Sequence, residues 1–93
     1  MIYKTIEKNL DETLKFLKKE FEKNNISILS IEEKKEGKIQ NIKLLILTAE
    51  KDKKVFKVSL IEKQGKTIAS IIFPKKVFSE KEKDLIKNLL NKV

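Results

Sequence analysis

The chain has 93 residues and a formal net charge of +8, and all 22 of its basic residues are lysine. Arginine, histidine, cysteine and tryptophan are absent. These absences exclude proton transfer by imidazole, nucleophilic chemistry by a thiolate, disulfide bonds and bidentate recognition by guanidinium groups. The hydrophobic fraction of 40% is sufficient for one core, so we expect a single domain over residues 1–93.

No segment has the pattern of a secretion signal or a membrane span. Residues 1–4 lead straight into a charged stretch, and the longest aliphatic run, 44–47, is far shorter than the 20 or so residues that cross a bilayer. The bias towards lysine, glutamate and isoleucine is typical of thermophile proteins, although an AT-rich genome would also favour lysine over arginine. We therefore expect a soluble cytoplasmic protein without membrane contact.

The first clear element is an N-terminal helix. Leu10, Leu14, Leu17 and Phe21 recur at helical spacing, Asn9 with Glu12 suits an N-cap, and residues 24–25 are a pair of asparagines suited to a left-handed stop. Residues 2–6 fit two patterns, since Ile2 and Ile6 continue the helical stripe while the five residues also alternate as in a strand. The helical interpretation is the one we adopt.

Four strand-like runs follow, at about 26–33, 39–50, 54–62 and 67–73, with short charged connections that favour hairpins. The run 42–47 is apolar at almost every position, which favours a strand covered on both faces. A second helix begins after Ser79, where Glu82 completes a capping-box pattern, and continues to the C-terminus with an apolar stripe.

The sequence therefore predicts an α+β fold, in which a four-stranded antiparallel meander is flanked by an N-terminal and a C-terminal helix. Two arrangements of the helices stay open. One helix on each face would close the monomer, whereas two helices on one face would leave Leu45, Leu47 and Ile71 exposed and favour a homodimer or another protein partner.

The positive charge is concentrated in the predicted sheet. Residues 34–78 carry twelve lysines and four acidic residues, whereas 1–33 and 79–93 are almost neutral. A meander sorts its turns into two ends, and one end gathers lysines with little acidic dilution. We predict a nucleic-acid-binding surface there. Its candidate residues are Lys51, Lys53, Lys54, Lys57, Lys75 and Lys76, with Lys43 extending it along the sheet.

Lysine neutralises phosphate without reading sequence, and direct base readout depends mainly on arginine and amide side chains. RNA or single-stranded DNA is therefore a better candidate ligand than a specific duplex. Base stacking requires exposed aromatic rings; only Phe73 and Phe78 are considered for it, and core packing is the more common role of such residues.

No catalytic, metal-binding or cofactor-binding pattern is present in the sequence. The carboxylate pairs at 32–33 and at Glu80 and Glu82 suit solvated or capping positions, and Gly37 and Gly65 are isolated. No motif assigns the chain to a family. The leading hypothesis is a non-catalytic nucleic-acid-binding protein of low sequence specificity. The alternative is a structural or adaptor module, such as an assembly factor, that self-associates through an apolar sheet face.

Overall fold

In the computed structural model, which describes residues 2–35 and 43–93, the chain is an α+β fold with one antiparallel sheet and two helices. The sheet has five strands in the order β1-β5-β4-β3-β2. The strands are β1 (Ile2–Ile6), β2 (Ser27–Lys35), β3 (Lys43–Lys51), β4 (Lys54–Lys63) and β5 (Lys66–Ile72), and the helices are α1 (Leu10–Lys23) and α2 (Glu80–Asn91).

The four-stranded prediction is wrong by one strand, because residues 2–6 form β1 rather than a turn of helix. Ile6 pairs with Thr67 and Tyr3 with Ser70, so β1 pairs with the outer edge of β5 in antiparallel register. The helix begins only at Leu10, because the Asn9 side chain accepts the amide hydrogen of Glu12 at 2.9 Å and caps the first turn.

The other element predictions agree with the structure to within a few residues. Asn25 has a left-handed φ of 58° directly after α1, and the predicted capping box of Ser79 and Glu82 is formed at the start of α2. The segment 36–42, which includes the start of the predicted second strand and Gly37, lies outside the described residues.

Both helices pack on the same face of the sheet. Leu17 and Phe21 of α1 and Ile86 and Leu90 of α2 join one buried core with every second residue of the central strands. In β3, β4 and β5 these residues are Leu45, Leu47, Ala49, Phe56, Val58, Leu60, Ala69 and Ile71. The two helices also contact each other, so they form a single layer over this covered face.

The alternate residues lie on the opposite face, which neither helix covers in the described part of the chain. We call it the uncovered face. Its members in the four strands β1, β5, β4 and β3 include Tyr3, Thr5, Ile68, Ser70, Ile72, Lys57, Ser59, Ile61, Leu44, Ile46 and Thr48.

Two predictions about the faces are corrected by this arrangement. Leu45, Leu47 and Ile71 lie beneath the helices and not on the open side. The strand segment 44–47 is covered by helices on one face and not on both, because Leu44 and Ile46 lie on the uncovered face. A strand that is apolar at every position does not itself reveal which alternate set faces the helices.

Candidate nucleic-acid interface

One end of the sheet brings most of the predicted lysines together, and we call it the hairpin end. It contains the turn between β3 and β4, the loop that follows β5 and the C-terminal end of α1. The turn is two residues long, and Asp52 and Lys53 both have positive φ, of 52° and 66°, as a type I′ hairpin turn requires. Lys76 in the loop after β5 has a φ of 62°.

Lys51 and Lys54 lie directly opposite each other at the base of this turn, where like charges would repel. Each ammonium group is instead bound by a helix. The Lys51 Nζ donates to the backbone carbonyl of Asn24 at 2.9 Å, at the negative end of the α1 dipole. The Lys54 Nζ donates to both carboxylate oxygens of Glu82, at 2.8 and 2.9 Å.

The pair of Lys54 and Glu82 also explains why the pKa of Glu82 is lowered. Hydrogen bonding from Lys54, followed by the backbone amide of Ser79, lowers the pKa of Glu82 to about 2. Glu82 therefore stays ionised over the whole neutral range, and it neutralises Lys54 while it caps α2. These contacts give Lys51 and Lys54 structural roles in joining the hairpin to the helices.

Four of the candidate lysines remain directed towards solvent at the hairpin end. We call Lys53, Lys57, Lys75 and Lys76 the open lysines. All four are exposed, and within the described ranges none of them forms an ion pair with an acidic side chain. Lys57 is on the uncovered face, whereas the other three lie in the two loops that border it.

Lys43 does not lie with the other candidates. It begins β3, whereas Lys51 ends it, so the eight intervening steps separate them by about 26 Å at the usual rise of a strand. Lys43 instead pairs in register with Glu62, at the opposite end of the sheet.

Polar side chains at that opposite end also have structural roles. Glu62 accepts the first amide hydrogen of α1, from Leu10, at 2.6 Å. Thr67 donates to the carbonyl of Lys8 at 2.8 Å, and Lys66 forms an ion pair with Glu7 at 3.5 Å. Lys34, Lys43 and Lys63 also lie at this end, exposed and without an ion pair among the described residues. Unpaired ammonium groups therefore occur at both ends of the sheet, and the hairpin end differs by holding six of the predicted lysines.

A cleft of about 460 Å³ opens at the hairpin end beside Lys57. Its apolar walls come from Val55, Ile72, Pro74 and Val77, and Lys53, Lys54 and Lys57 border it. Ile72 is 47% exposed and lies directly opposite Lys57 in the sheet. The arrangement places exposed aliphatic surface and ammonium groups side by side.

Phe73 and Phe78, the pair considered for base stacking, belong to the core instead. Phe78 is buried, and its ring lies 5.7 Å from Phe56 and 5.1 Å from Phe73 between centroids. The packing interpretation is therefore the one that the structure supports.

Tyr3 is an exposed aromatic residue that the sequence analysis did not consider for base stacking. It is 66% exposed and lies on the uncovered face, opposite Ser70. The alternation of residues 2–6 was the available signal, since in a strand Tyr3 must face away from Ile6, whose side chain is buried.

No protein-family model, curated protein or solved structure matches this chain at a significant level. Among residues 2–35 and 43–93, no group of three or more acidic side chains is placed to hold a metal ion, and neither helix is long and apolar enough to cross a membrane.

Proposed function

We propose that this chain is a non-catalytic protein that binds RNA or single-stranded DNA with low sequence specificity. The binding surface is the uncovered face at the hairpin end, where phosphates contact the open lysines. The observation that carries the proposal is the location of these four ammonium groups, which lack acidic partners in the described part of the chain and border a sheet face without a helix.

Electrostatics supports a polyanion as the ligand. The net charge of +8 arises entirely within residues 34–78, and the acids nearest the hairpin end are few. Glu82 is paired with Lys54, and the other acids at this end, Glu50 and Asp52, form no ion pair with an open lysine among the described residues. Ammonium groups arranged in this way bind phosphates with release of counterions, which gives affinity that falls steeply with salt.

Backbone conformation supports a role for two of these lysines. Lys53 and Lys76 have left-handed φ values that favour glycine or asparagine. The hairpin between β4 and β5 places Gly65 at the equivalent second turn position, with a φ of 77°. Residues held in unfavourable conformations are concentrated at functional sites, although Asp52 and Gln64 show the same left-handed φ in the two hairpin turns.

The side chains of the uncovered face suit low specificity. Arginine is absent from the whole chain, and the described part of this face carries mainly aliphatic, hydroxyl and lysine side chains, together with Glu32 and Glu50. Recognition of particular bases in a duplex depends on guanidinium and amide groups at the groove edges. Phosphate binding combined with apolar contact is therefore the chemistry that this face offers.

The test is a fluorescence-anisotropy titration of labelled oligouridylate and oligothymidylate at several salt concentrations. One variant has all four open lysines replaced by glutamine. A control with the same net charge carries four exposed helical lysines changed to glutamine, namely Lys15, Lys18, Lys19 and Lys81. We expect the slope of log affinity against log salt to fall by roughly 2 to 3 in the first variant, at about 0.7 for each phosphate contact.

The control should retain most of the slope and affinity of the original chain. An equal loss in the two variants would mean that net charge alone governs binding, and absence of binding by the unmodified chain at low salt would end the proposal.

A second candidate is an interaction module that self-associates through the uncovered face. It is favoured by a row of aliphatic side chains in register across three strands, Ile68, Ile61 and Leu44. Two copies that each carry a charge of +8 repel each other, so salt should promote this dimer. Because salt weakens nucleic-acid binding, light scattering over the same salt range separates the two functions.

A further inference from the structure

The uncovered face carries an exposed aromatic ring two strands away from Lys57, one of the open lysines. The Tyr3 side chain is 66% exposed, and Tyr3 pairs with Ser70 of β5. Ile72 is two residues further along β5 on the same face, which makes it the diagonal neighbour of Tyr3. Diagonal neighbours across an antiparallel pair lie within reach of an aromatic side chain.

The other aromatic residues are placed differently. Phe21, Phe56 and Phe78 are buried, and Phe73 packs against the last two. Phe16 is partly exposed, but it lies on α1, which packs on the covered face of the sheet. Tyr3 is therefore the aromatic ring on the uncovered face within residues 2–35 and 43–93.

Ile72 connects this ring to the cleft and to the charge. It forms part of the apolar wall of the 460 Å³ cleft, together with Val55, Pro74 and Val77. Across the sheet, Ile72 is directly opposite Lys57. The Tyr3 ring on β1, the Ile72 side chain on β5 and the Lys57 ammonium group on β4 are thus neighbours on three adjacent strands.

We propose that this combination is a base-binding subsite for single-stranded nucleic acid, in which one base stacks on the Tyr3 ring and the next enters the cleft beside Ile72. The phosphates that flank these bases then contact Lys57 and the loop lysines. This inference rests on the proposed function and adds to it the contacts that distinguish a single strand from a bare polyanion.

Base contact of this kind favours single strands over duplexes. In a duplex the faces of the bases are stacked within the helix, so they reach neither the ring nor the cleft. A single strand presents its bases to an aromatic platform whatever their identity, because every base has a stacking face. The cleft volume lies within the range of small-molecule sites, and its aliphatic walls offer no pattern that selects one base.

The sequence provides an internal reporter for this subsite. Tyr3 is the one tyrosine of the chain, and tryptophan is absent, so the intrinsic tyrosine emission arises from Tyr3 alone. Stacking of a base on the ring would quench that emission, whereas phosphate binding to lysines elsewhere would leave it nearly unchanged.

The experiment compares oligothymidylate with an abasic deoxyribose-phosphate oligomer of the same length and charge. Affinity is measured by competition with a labelled oligonucleotide, and tyrosine emission is corrected with free N-acetyltyrosinamide in the same solutions. We expect both oligomers to bind at low salt, the normal oligomer about tenfold more tightly, and only the normal oligomer to quench Tyr3.

Three variants locate the effect. Tyr3→Ser should remove most of the tenfold preference for the oligomer with bases, and Tyr3→Phe should keep it, because the stacking surface is retained. Phe16→Ser, which removes a partly exposed aromatic ring on α1, is the matched control and should leave the preference unchanged.

The outcomes separate this inference from the proposed function. Equal affinity for both oligomers, without quenching by either, would overturn the base-binding subsite and leave phosphate binding intact. Equal affinity and equal quenching with a duplex of the same sequence would also overturn it. Failure of both oligomers to bind at low salt would overturn the proposed function together with the inference.

Discussion

The two faces of the sheet differ in how their side chains are used. On the covered face, Leu47 and Val58 have no exposed surface, and the polar residues at its two ends bind the helices. Lys51 and Lys54 contact the end of α1 and the start of α2, and Glu62 contacts the start of α1. On the uncovered face, Tyr3 remains largely exposed and Lys57 has no acidic partner among the described residues.

This difference separates the residues that stabilise the fold from those that we propose to bind nucleic acid. The side chains of the covered face are buried or hydrogen-bonded within the chain, so few of them are available to bind a ligand. The uncovered face belongs to the same strands, which are held in place by the helices packed on the covered face. Changes on one face should therefore affect stability with little effect on affinity, and changes on the other should do the reverse.

The largest expected effect is the loss of stability when the covered face is disrupted. Phe56 lies at the centre of the aromatic cluster, within 6.0 Å of Phe21, Phe73 and Phe78 between ring centroids. We expect Phe56→Ala to lower the free energy of unfolding by about 3–5 kcal/mol, because it leaves a cavity in a packed core. Ile61→Ala on the uncovered face should cost less than about 1.5 kcal/mol.

Urea denaturation followed by circular dichroism measures both values. A cost for Ile61→Ala as large as that for Phe56→Ala would show that the uncovered face is covered in solution, for example by a second copy.

A second effect follows from the pair of Lys54 and Glu82. The folded pKa of Glu82, about 2, lies below its ordinary value of 4.5, so its contribution to stability is present above about pH 4.5 and is lost as the pH falls through about 2. Glu82→Gln should be less stable than the original chain at neutral pH, and the difference should shrink over that acidic interval.

Denaturation at a series of pH values measures this difference. Glu80→Gln, which changes a more exposed carboxylate in the same helical turn, is the control and should give a smaller difference at neutral pH. A difference for Glu82→Gln that does not vary with pH would contradict the assigned pairing.

The next prediction contrasts two adjacent lysines of equal charge. Lys54 is neutralised by Glu82, whereas Lys53 in the turn has no such partner in the described part of the chain. Lys53→Gln should lower the salt slope of nucleic-acid binding by about 0.7, as one lost phosphate contact requires for a single strand. Lys54→Gln should mainly reduce stability and leave the slope nearly unchanged. Equal slopes for the two variants in the anisotropy titration would remove the distinction between structural and open lysines.

The smallest effect concerns the strained turn. Lys53 has a φ of 66°, a conformation that glycine adopts without steric cost. We expect Lys53→Gly to raise the free energy of unfolding by up to about 1 kcal/mol and to lower affinity for single strands at low salt. Gly65→Lys tests the reverse at the other hairpin, since it should destabilise without a comparable gain in affinity. A Lys53→Gly chain with unchanged affinity would show that the strained lysine makes no contact with the ligand.

The sequence was sufficient for the elements whose signals are local. The capping residues Asn9 and Ser79 mark the starts of both helices, and the short connections predict the hairpins that gather lysines at one end. Only part of the candidate site follows from this, because a turn position indicates where a lysine backbone lies and not which group binds its ammonium. The contact of Lys54 with Glu82, 28 residues away, is set by the packing of α2.

The errors have a common physical origin in long-range pairing. β1 was missed because five residues fit both periodicities, and the partner that decides between them, β5, begins sixty residues later in the chain. The face assignment of Leu45 and Leu47 failed because their neighbours Leu44 and Ile46 are also apolar. The position of Lys43, in contrast, follows from counting residues along the strand.

The most direct test of the central claim is to map the bound strand onto the two faces. Backbone amide chemical shifts of the labelled protein are followed while oligothymidylate is added at low salt. We predict progressive shifts at Tyr3, Lys57, Ser70 and Ile72 and in the loop at Lys75 and Lys76, with the exposed sides of α1 and α2 unchanged. Shifts confined to the helices, or spread evenly over the molecule, would contradict a binding surface on the uncovered face.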